Sequence, residues 1–310
     1  MSDDEELSSQ VTGSHHGGSD LSPGAAVLSA PREAPSLPTS RTLSIVDVNA
    51  MMESRPTTLI GVLGLPGAGK TACLVSAYLL LAKGQFRNFS YLHSETLRAF
   101  EEIAIGSRTW SPGEAPAQIT AHTTMTDDRE AGFLHLRLKH QQKESRHDIL
   151  IPDLPGEWSK ALIDRADYAR LEFLNSASVI WLVVDGREFV EVGSVAYARY
   201  RTQLLIERLA ALLGDSRPCL TLVPTWRDAG QFPLAEYESL KTEGKKFGFE
   251  VTLSPVASFS LSEGVSPGEG VAELIETSLV HRSEGPEFWP VEPTVEGTRS
   301  VAAFRSVHEQ

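Results

Sequence analysis

The octapeptide Gly64-Leu65-Pro66-Gly67-Ala68-Gly69-Lys70-Thr71 constrains this chain more than any other stretch, because it satisfies the pattern G-x-x-x-x-G-K-[ST]. Each residue type has a physical reason. Glycines let the backbone bend until successive N–H groups converge on phosphate oxygens. A helix that begins at the loop adds its positive end. The Lys70 ammonium supplies a point charge for β- and γ-phosphates, and the Thr71 hydroxyl is a Mg²⁺ ligand. Pro66, Ala68 and Ala72 complete the phosphate-binding segment with these residues. The context fits: Thr57–Leu63 is a short β-prone run, and Lys70–Lys83 reads as a helix, so the loop joins a strand to a helix.

The rest of the chain alternates strand and helix patterns. Residues 94–106 predict a helix. Leu134, Leu136 and Leu138 alternate with His135, Arg137 and Lys139, the period of a half-buried strand. Gln141–Ser145 is a polar turn and His147–Asp153 returns as an apolar strand, which makes a hairpin. Ser178–Asp185 is a continuous apolar run, as for a strand buried on both faces. Helices are predicted at Ser194–Leu213, Pro233–Phe247 and Gly268–His281, with strands at Cys219–Pro224 and Glu250–Leu253 between them. This alternation predicts an α/β fold: a mostly parallel sheet covered by helices, with one antiparallel edge strand from the hairpin. Residues 1 to about 40 are rich in Ser, Gly, Pro and acid, and cannot bury enough apolar surface to offset their ordering entropy. The expected layout is a disordered tail over 1–55, with residues 42–48 as a lead-in or short strand, a domain over 56–282 and an irregular tail over 283–310.

Two further motifs stand at strand ends. Asp153-Leu154-Pro155-Gly156-Glu157 follows the apolar strand that ends near Ile151. A carboxylate there holds Mg²⁺ directly or through water, and Gly156 leaves room for the backbone to approach a γ-phosphate. Thr225-Trp226-Arg227-Asp228 follows the strand Cys219–Pro224. The Asp228 carboxylate can accept from both N1–H and N2–H₂ of guanine, a donor pair that adenine lacks, while Trp226 could stack on the base. An Asp in that position also caps helices, so a purely structural role stays open. Ser254–Ser258, after the next strand, would complete the base pocket, with Ser258 at its end.

Composition sets outer limits. The formal charge of −13 lacks the basic face needed for wholesale nucleic-acid or anionic-membrane binding. Two cysteines, Cys73 and Cys219, are too few for a disulfide framework and read as small apolar residues in a reducing compartment. Neither a signal peptide nor an apolar run of the ~20 residues that span a bilayer is visible, so a cytoplasmic protein is expected.

Phosphate loop, Asp-x-x-Gly and Thr-x-x-Asp, in that order and each at a strand end, resemble the translation-factor-related (TRAFAC) class of P-loop GTPases over roughly residues 57–281. The stretch Ser-Glu-Thr-Leu-Arg-Ala-Phe-Glu at 94–101, the Leu-His-Leu-Arg-Leu strand and Asp-Leu-Pro-Gly-Glu-Trp are similar to the second type of double-GTPase domain. That resemblance implies a Ras-like three-layer α/β/α sandwich, GTP/GDP and Mg²⁺ as ligands, and hydrolysis of GTP. It also implies a place in bacterial conflict and defence systems, with an effector or second GTPase as protein partner. It further implies a switch threonine before residue 133, for which Thr123 and Thr124 are both candidates as a metal ligand. The chain departs from the pattern in two places. Thr225 and Trp226 replace the first two residues of Asn-Lys-x-Asp. Glu157 stands where Ras-like proteins carry a water-orienting Gln; its carboxylate can accept from the attacking water but repels the γ-phosphate, so slow hydrolysis is expected. No catalytic arginine is assigned, and Arg165 and Arg170 read as surface charge.

A slow GTPase or switch is therefore the expected activity, with Lys70, Gly156 and Glu157 at the reacting phosphate. A P-loop nucleotide kinase or ATPase is the alternative, although no compact basic lid is present and the second and third motifs go unexplained by it. A non-hydrolysing nucleotide-binding scaffold also stays open.

Overall fold

A computed structural model describes residues 41–86, 88–105, 131–143, 145–260 and 262–280. Thr123, Thr124, the segment to residue 40 and the expected tail over 283–310 lie outside these residues.

Among the described residues the strands are β1 (Thr57–Leu63), β2 (Phe89–His93), β3 (Phe133–His140), β4 (Arg146–Pro152), β5 (Val179–Asp185), β6 (Cys219–Thr225) and β7 (Val251–Leu253). They form one sheet in the order β2-β3-β4-β1-β5-β6-β7. β1 is parallel to β4 and β5, β6 to β5, and β7 to β6. The predicted hairpin is β3–β4, with Phe133 opposite Pro152 and Lys139 opposite Arg146, and it supplies the one antiparallel strand at this end of the sheet. Strand β2, which the sequence pattern did not predict, adds outside β3. Only Phe89 of β2 is buried, so the strand carries no alternation to read.

The helices are α1 (Ile45–Ser54), α2 (Lys70–Ala82), α3 (Leu97–Ile103), α4 (Gly156–Arg165), α5 (Gly186–Val190), α6 (Val195–Leu213), α7 (Leu234–Lys246) and α8 (Val271–Val280). Side chains alternate between two cores. Leu59, Leu63, Ile180 and Leu182 pack on one face with α1, α4, α6 and α7. Ile60, Val62, Val179, Trp181 and Val183 pack on the other with α2, α3 and α8. The result is the expected three-layer sandwich, with buried strands that are apolar on both faces.

Helix α1 corrects the expectation of a tail running to residue 55. Ser44 and Asp47 form a reciprocal capping box, with Ser44 N–H donating to Asp47 Oδ2 (2.9 Å) and Asp47 N–H to Ser44 Oγ (3.3 Å). Val48 and Met51 are then buried against the sheet. The lead-in contributes a single bridge, Leu43 to Phe133.

A buried polar network ties α1 to this edge. His135 is fully buried; its Nδ1 accepts from the Glu95 N–H (3.0 Å), and its Nε2 therefore donates to Asp148 Oδ1 (2.9 Å). Arg137 Nε bonds both carboxylate oxygens of Asp148 (2.9 and 3.1 Å), and Arg55 lies 3.2 Å away while its other nitrogen reaches Glu95. Burial lowers the His135 pKa against the pull of Asp148. Burial raises the Asp148 carboxyl, but bonds from Arg137 and His135 and the charge of Arg55 outweigh it and leave it below its ordinary value. Ser94 Oγ donates to the His135 carbonyl (2.7 Å), and the His135 N–H donates to Thr96 Oγ1 (2.8 Å), so the 94–96 turn is fastened to β3. Burial pushes the Cys73 thiol up to about 12, as suits a small apolar core residue.

Candidate functional site at the strand ends

Parallel strands bring their carboxyl ends to one edge, where ligands of open α/β sheets bind. The loop after β1, Asp153 after β4, Asp185 at the end of β5, Thr225–Asp228 at the end of β6 and Ser254–Ser258 after β7 all lie there.

The phosphate loop is closed on itself. Gly67 and Gly69 have φ of 79° and 94°, a region costly to side-chain-bearing residues. Lys70, the first residue of α2, donates from Nζ to the carbonyls of Gly64 (2.9 Å) and Leu65 (3.2 Å). The side chain is 7% exposed, and burial pulls its pKa down to about 8 while Asp153 and Glu157 pull it up. Both carboxylates therefore stand within electrostatic reach of the ammonium. Ser159 on α4, which no motif singled out, accepts from the Gly64 N–H at 3.0 Å.

Thr71 Oγ1 donates to Asp153 Oδ1 at 3.0 Å. Two oxygen ligands of this kind fit Mg²⁺, which keeps several waters and takes its remaining ligands from phosphate oxygens. Gly156 begins α4 pressed against the loop: a Cβ there would stand 2.4 Å from the Pro66 nitrogen and 2.5 Å from its Cα. The room that Gly156 leaves is thus taken up by Leu65–Pro66, which seats the helix N-terminus beside the phosphate loop. Glu157 follows in the first turn, exposed. Arg165 ends α4, and the Arg170 guanidinium lies 5.5 Å over the Trp158 ring; both are exposed and line a cavity of about 110 Å³ with Glu157.

At the other end of the edge, Thr225 is buried and does not present its hydroxyl to a base. Its Oγ1 lies 2.9 Å from the Ala68 carbonyl and 3.1 Å from that of Val184, so it clamps the phosphate loop to the strand ends. Trp226 has φ 58°, is 40% exposed, and carries the Arg187 guanidinium 4.0 Å from its ring centroid. Arg227 ties this turn to its neighbour, through its N–H to the Val256 carbonyl (3.2 Å) and its guanidinium to Glu269 (3.2 Å). Asp228 Oδ1 and Ser258 Oγ are both buried and have no hydrogen-bond partner. An unpaired buried polar atom costs about 1–3 kcal/mol, and both of these stand in the segments predicted to hold a base.

A glycine loop closed on a lysine, a Thr–Asp pair beside it and an orphaned carboxylate oxygen at the far end define a P-loop nucleotide-binding domain. The family comparison places it: residues 58–280 match the double-GTPase 2 model, and the chain belongs to that family of GTP-binding proteins. No curated protein matches it in sequence. Among solved structures it is similar to the GTPase-like domain of S. cerevisiae Ski7, bound to GDP and inorganic phosphate, at 12% identity and a TM-score of 0.44. That match covers 78% of this chain and 53% of the other, so this chain spans about half the length of the structure it resembles. No helix among the described residues is long and apolar enough to cross a membrane.

Proposed function

We propose that the chain binds GTP and GDP with Mg²⁺ and works as a switch with slow hydrolysis of GTP to GDP and phosphate. The observation that carries the guanine half is the buried, unpartnered Asp228 Oδ1, with Ser258 Oγ likewise orphaned in the facing segment. Guanine N1–H and N2–H₂ offer the donors that a carboxylate accepts. Thr71 and Asp153 would hold the metal, which supplies charge neutralisation at the β- and γ-phosphates.

Lys70 exchanges its bonds to the Gly64 and Leu65 carbonyls for phosphate oxygens and offsets the charge that builds there. Gly156 brings the N-terminal end of α4 towards the same group. In hydrolysis a water oxygen bonds to the γ-phosphorus, the bond from that phosphorus to the β,γ-bridging oxygen breaks, and the water's proton is released. Glu157 is the only acid in the first turn of α4; as an exposed acceptor with like charge to the phosphates it orients water poorly, which favours slow turnover. A protein effector or second GTPase then reads the state of the loops; the family resemblance implies a role in bacterial defence, and the composition fits a cytoplasmic one.

The test is a titration of GTP, GDP and ATP with Mg²⁺, followed by phosphate release. Asp228→Asn should weaken guanine nucleotides by about 100-fold, since the acceptor loses its charge and one of its two oxygens becomes a donor, and should leave ATP unchanged. Preference for ATP in the wild type would sink the guanine assignment, and binding without turnover would leave a non-hydrolysing scaffold.

A further inference from the structure

Arg187 stands beside the base pocket, where no sequence motif places it. Asp185, the last residue of β5, caps α5 by accepting from the Arg187 N–H (3.0 Å), and it also holds that residue's guanidinium through Nε (3.0 Å) and Nη2 (2.7 Å). One carboxylate thus holds both the backbone N–H and the guanidinium of Arg187. The guanidinium carbon then lies 4.0 Å from the centroid of the Trp226 ring. Trp226 has a left-handed backbone, φ 58°, which a bulky residue keeps only where its surroundings hold it. Trp226 is 40% exposed, with the Arg187 guanidinium set over its ring.

We propose that Arg187, set by Asp185, is a positioning residue for base recognition: it backs the Trp226 indole so that the ring's other face stacks on the purine whose edge Asp228 reads. The inference rests on the guanine-binding reading above. It adds an ordered stack of guanidinium, indole and purine across the end of β6. A planar guanidinium lies flat on an indole, and its charge draws on the ring's electron-rich face. A ring already held in place loses less conformational freedom when ligand arrives. Stacking is indifferent to which purine is bound, whereas Asp228 distinguishes them by hydrogen bonding. Arg187 therefore sets affinity for purine nucleotides in general, and Asp228 sets the choice among them.

The experiment measures Kd for GDP and IDP, whose base lacks the N2 amine, on the full chain and on Arg187→Ala, Arg187→Lys, Asp185→Asn and Asp228→Asn. Near-UV circular dichroism of each nucleotide-free protein, with Trp226→Phe subtracted, reports the ordering of that ring. Arg187→Ala should weaken GDP and IDP together by roughly three- to tenfold, leave their ratio unchanged and reduce the Trp226 band. Arg187→Lys, which keeps the charge without the flat fork, should restore only part of each and serves as the test if the alanine variant does not fold. Asp228→Asn should collapse the GDP/IDP ratio and leave the band intact. If Asp228→Asn weakens GDP while Arg187→Ala leaves it unchanged or tightens it, this inference falls and the guanine pocket stands. If the wild type does not bind guanine nucleotides, or Asp228→Asn is without effect, both fall.

Discussion

Thr71 Oγ1 donates to Asp153 Oδ1 at 3.0 Å, joining the first turn of α2 to the residue after β4 across 82 positions of sequence. A hydroxyl and a carboxylate oxygen in contact can turn together onto one hard cation. Asp153→Asn and Thr71→Ala should each remove the Mg²⁺ dependence of nucleotide affinity. Titrating GDP with and without a chelator should show a difference of at least about tenfold in the wild type and almost none in the variants. An unaltered Mg²⁺ effect would reassign the metal.

Lys70 gives a pH signature whose sign is fixed by burial. Its pKa is about 8 in the fold against an ordinary 10.5. Between those values the unfolded chain holds more protons than the folded one, so stability rises with pH across that window. Relative to Lys70→Met, the wild type should gain roughly 3 kcal/mol over the window, read from denaturant unfolding at a series of pH values. Affinity for triphosphates moves the other way and weakens above pH 8, because the phosphates need the ammonium.

Gly156 tolerates no side chain where it is. A methyl group would meet the Pro66 backbone at 2.4–2.5 Å and the Leu65 carbonyl carbon at 2.8 Å, and backbone cannot rotate away. Gly156→Ala should cost about 1–3 kcal/mol, lower Tm accordingly, and weaken triphosphate more than diphosphate by shifting α4 off the loop. Thermal unfolding with GDP and with a non-hydrolysable GTP analogue checks both parts.

The His135–Asp148 network predicts acid sensitivity in two stages. His135 is held neutral below its ordinary 6.5, so the unfolded state takes up the proton first and stability falls as pH drops below 6.5. Asp148 is held below its ordinary 3.8, so its contribution is present above that value and is lost beneath it. Tm measured from about pH 7 down to about pH 3 should show both stages. His135→Gln should flatten the first, while the second, held also by Arg137 and Arg55, should persist in reduced form.

Local chemistry was legible in the sequence, whereas long-range partnership was not. Gly64–Thr71, Asp153 and Asp228 could be named because strand, turn and helix signals surround each. Thr225 stands in the third motif with no contact that the sequence could assign, since its partners Ala68 and Val184 are brought to it only by the sheet order. Ser159 meets Gly64 across 95 positions, a distance over which no residue pattern points. Strand β2 owes its existence to pairing with β3 rather than to its own alternation. Helix α1 did carry a signal: Ser44-x-x-Asp47 is a capping box with Asp in place of the usual Glu or Gln.

The Thr225 hydroxyl has one proton for two carbonyls, so at any instant it serves either Ala68 of the phosphate loop or Val184 of β5. Since Trp226 and Asp228 continue from that same residue, the phosphate loop and the segment proposed to hold the base share one anchor. A substitution that loosens Thr225 should therefore act on both ends of the proposed nucleotide site together.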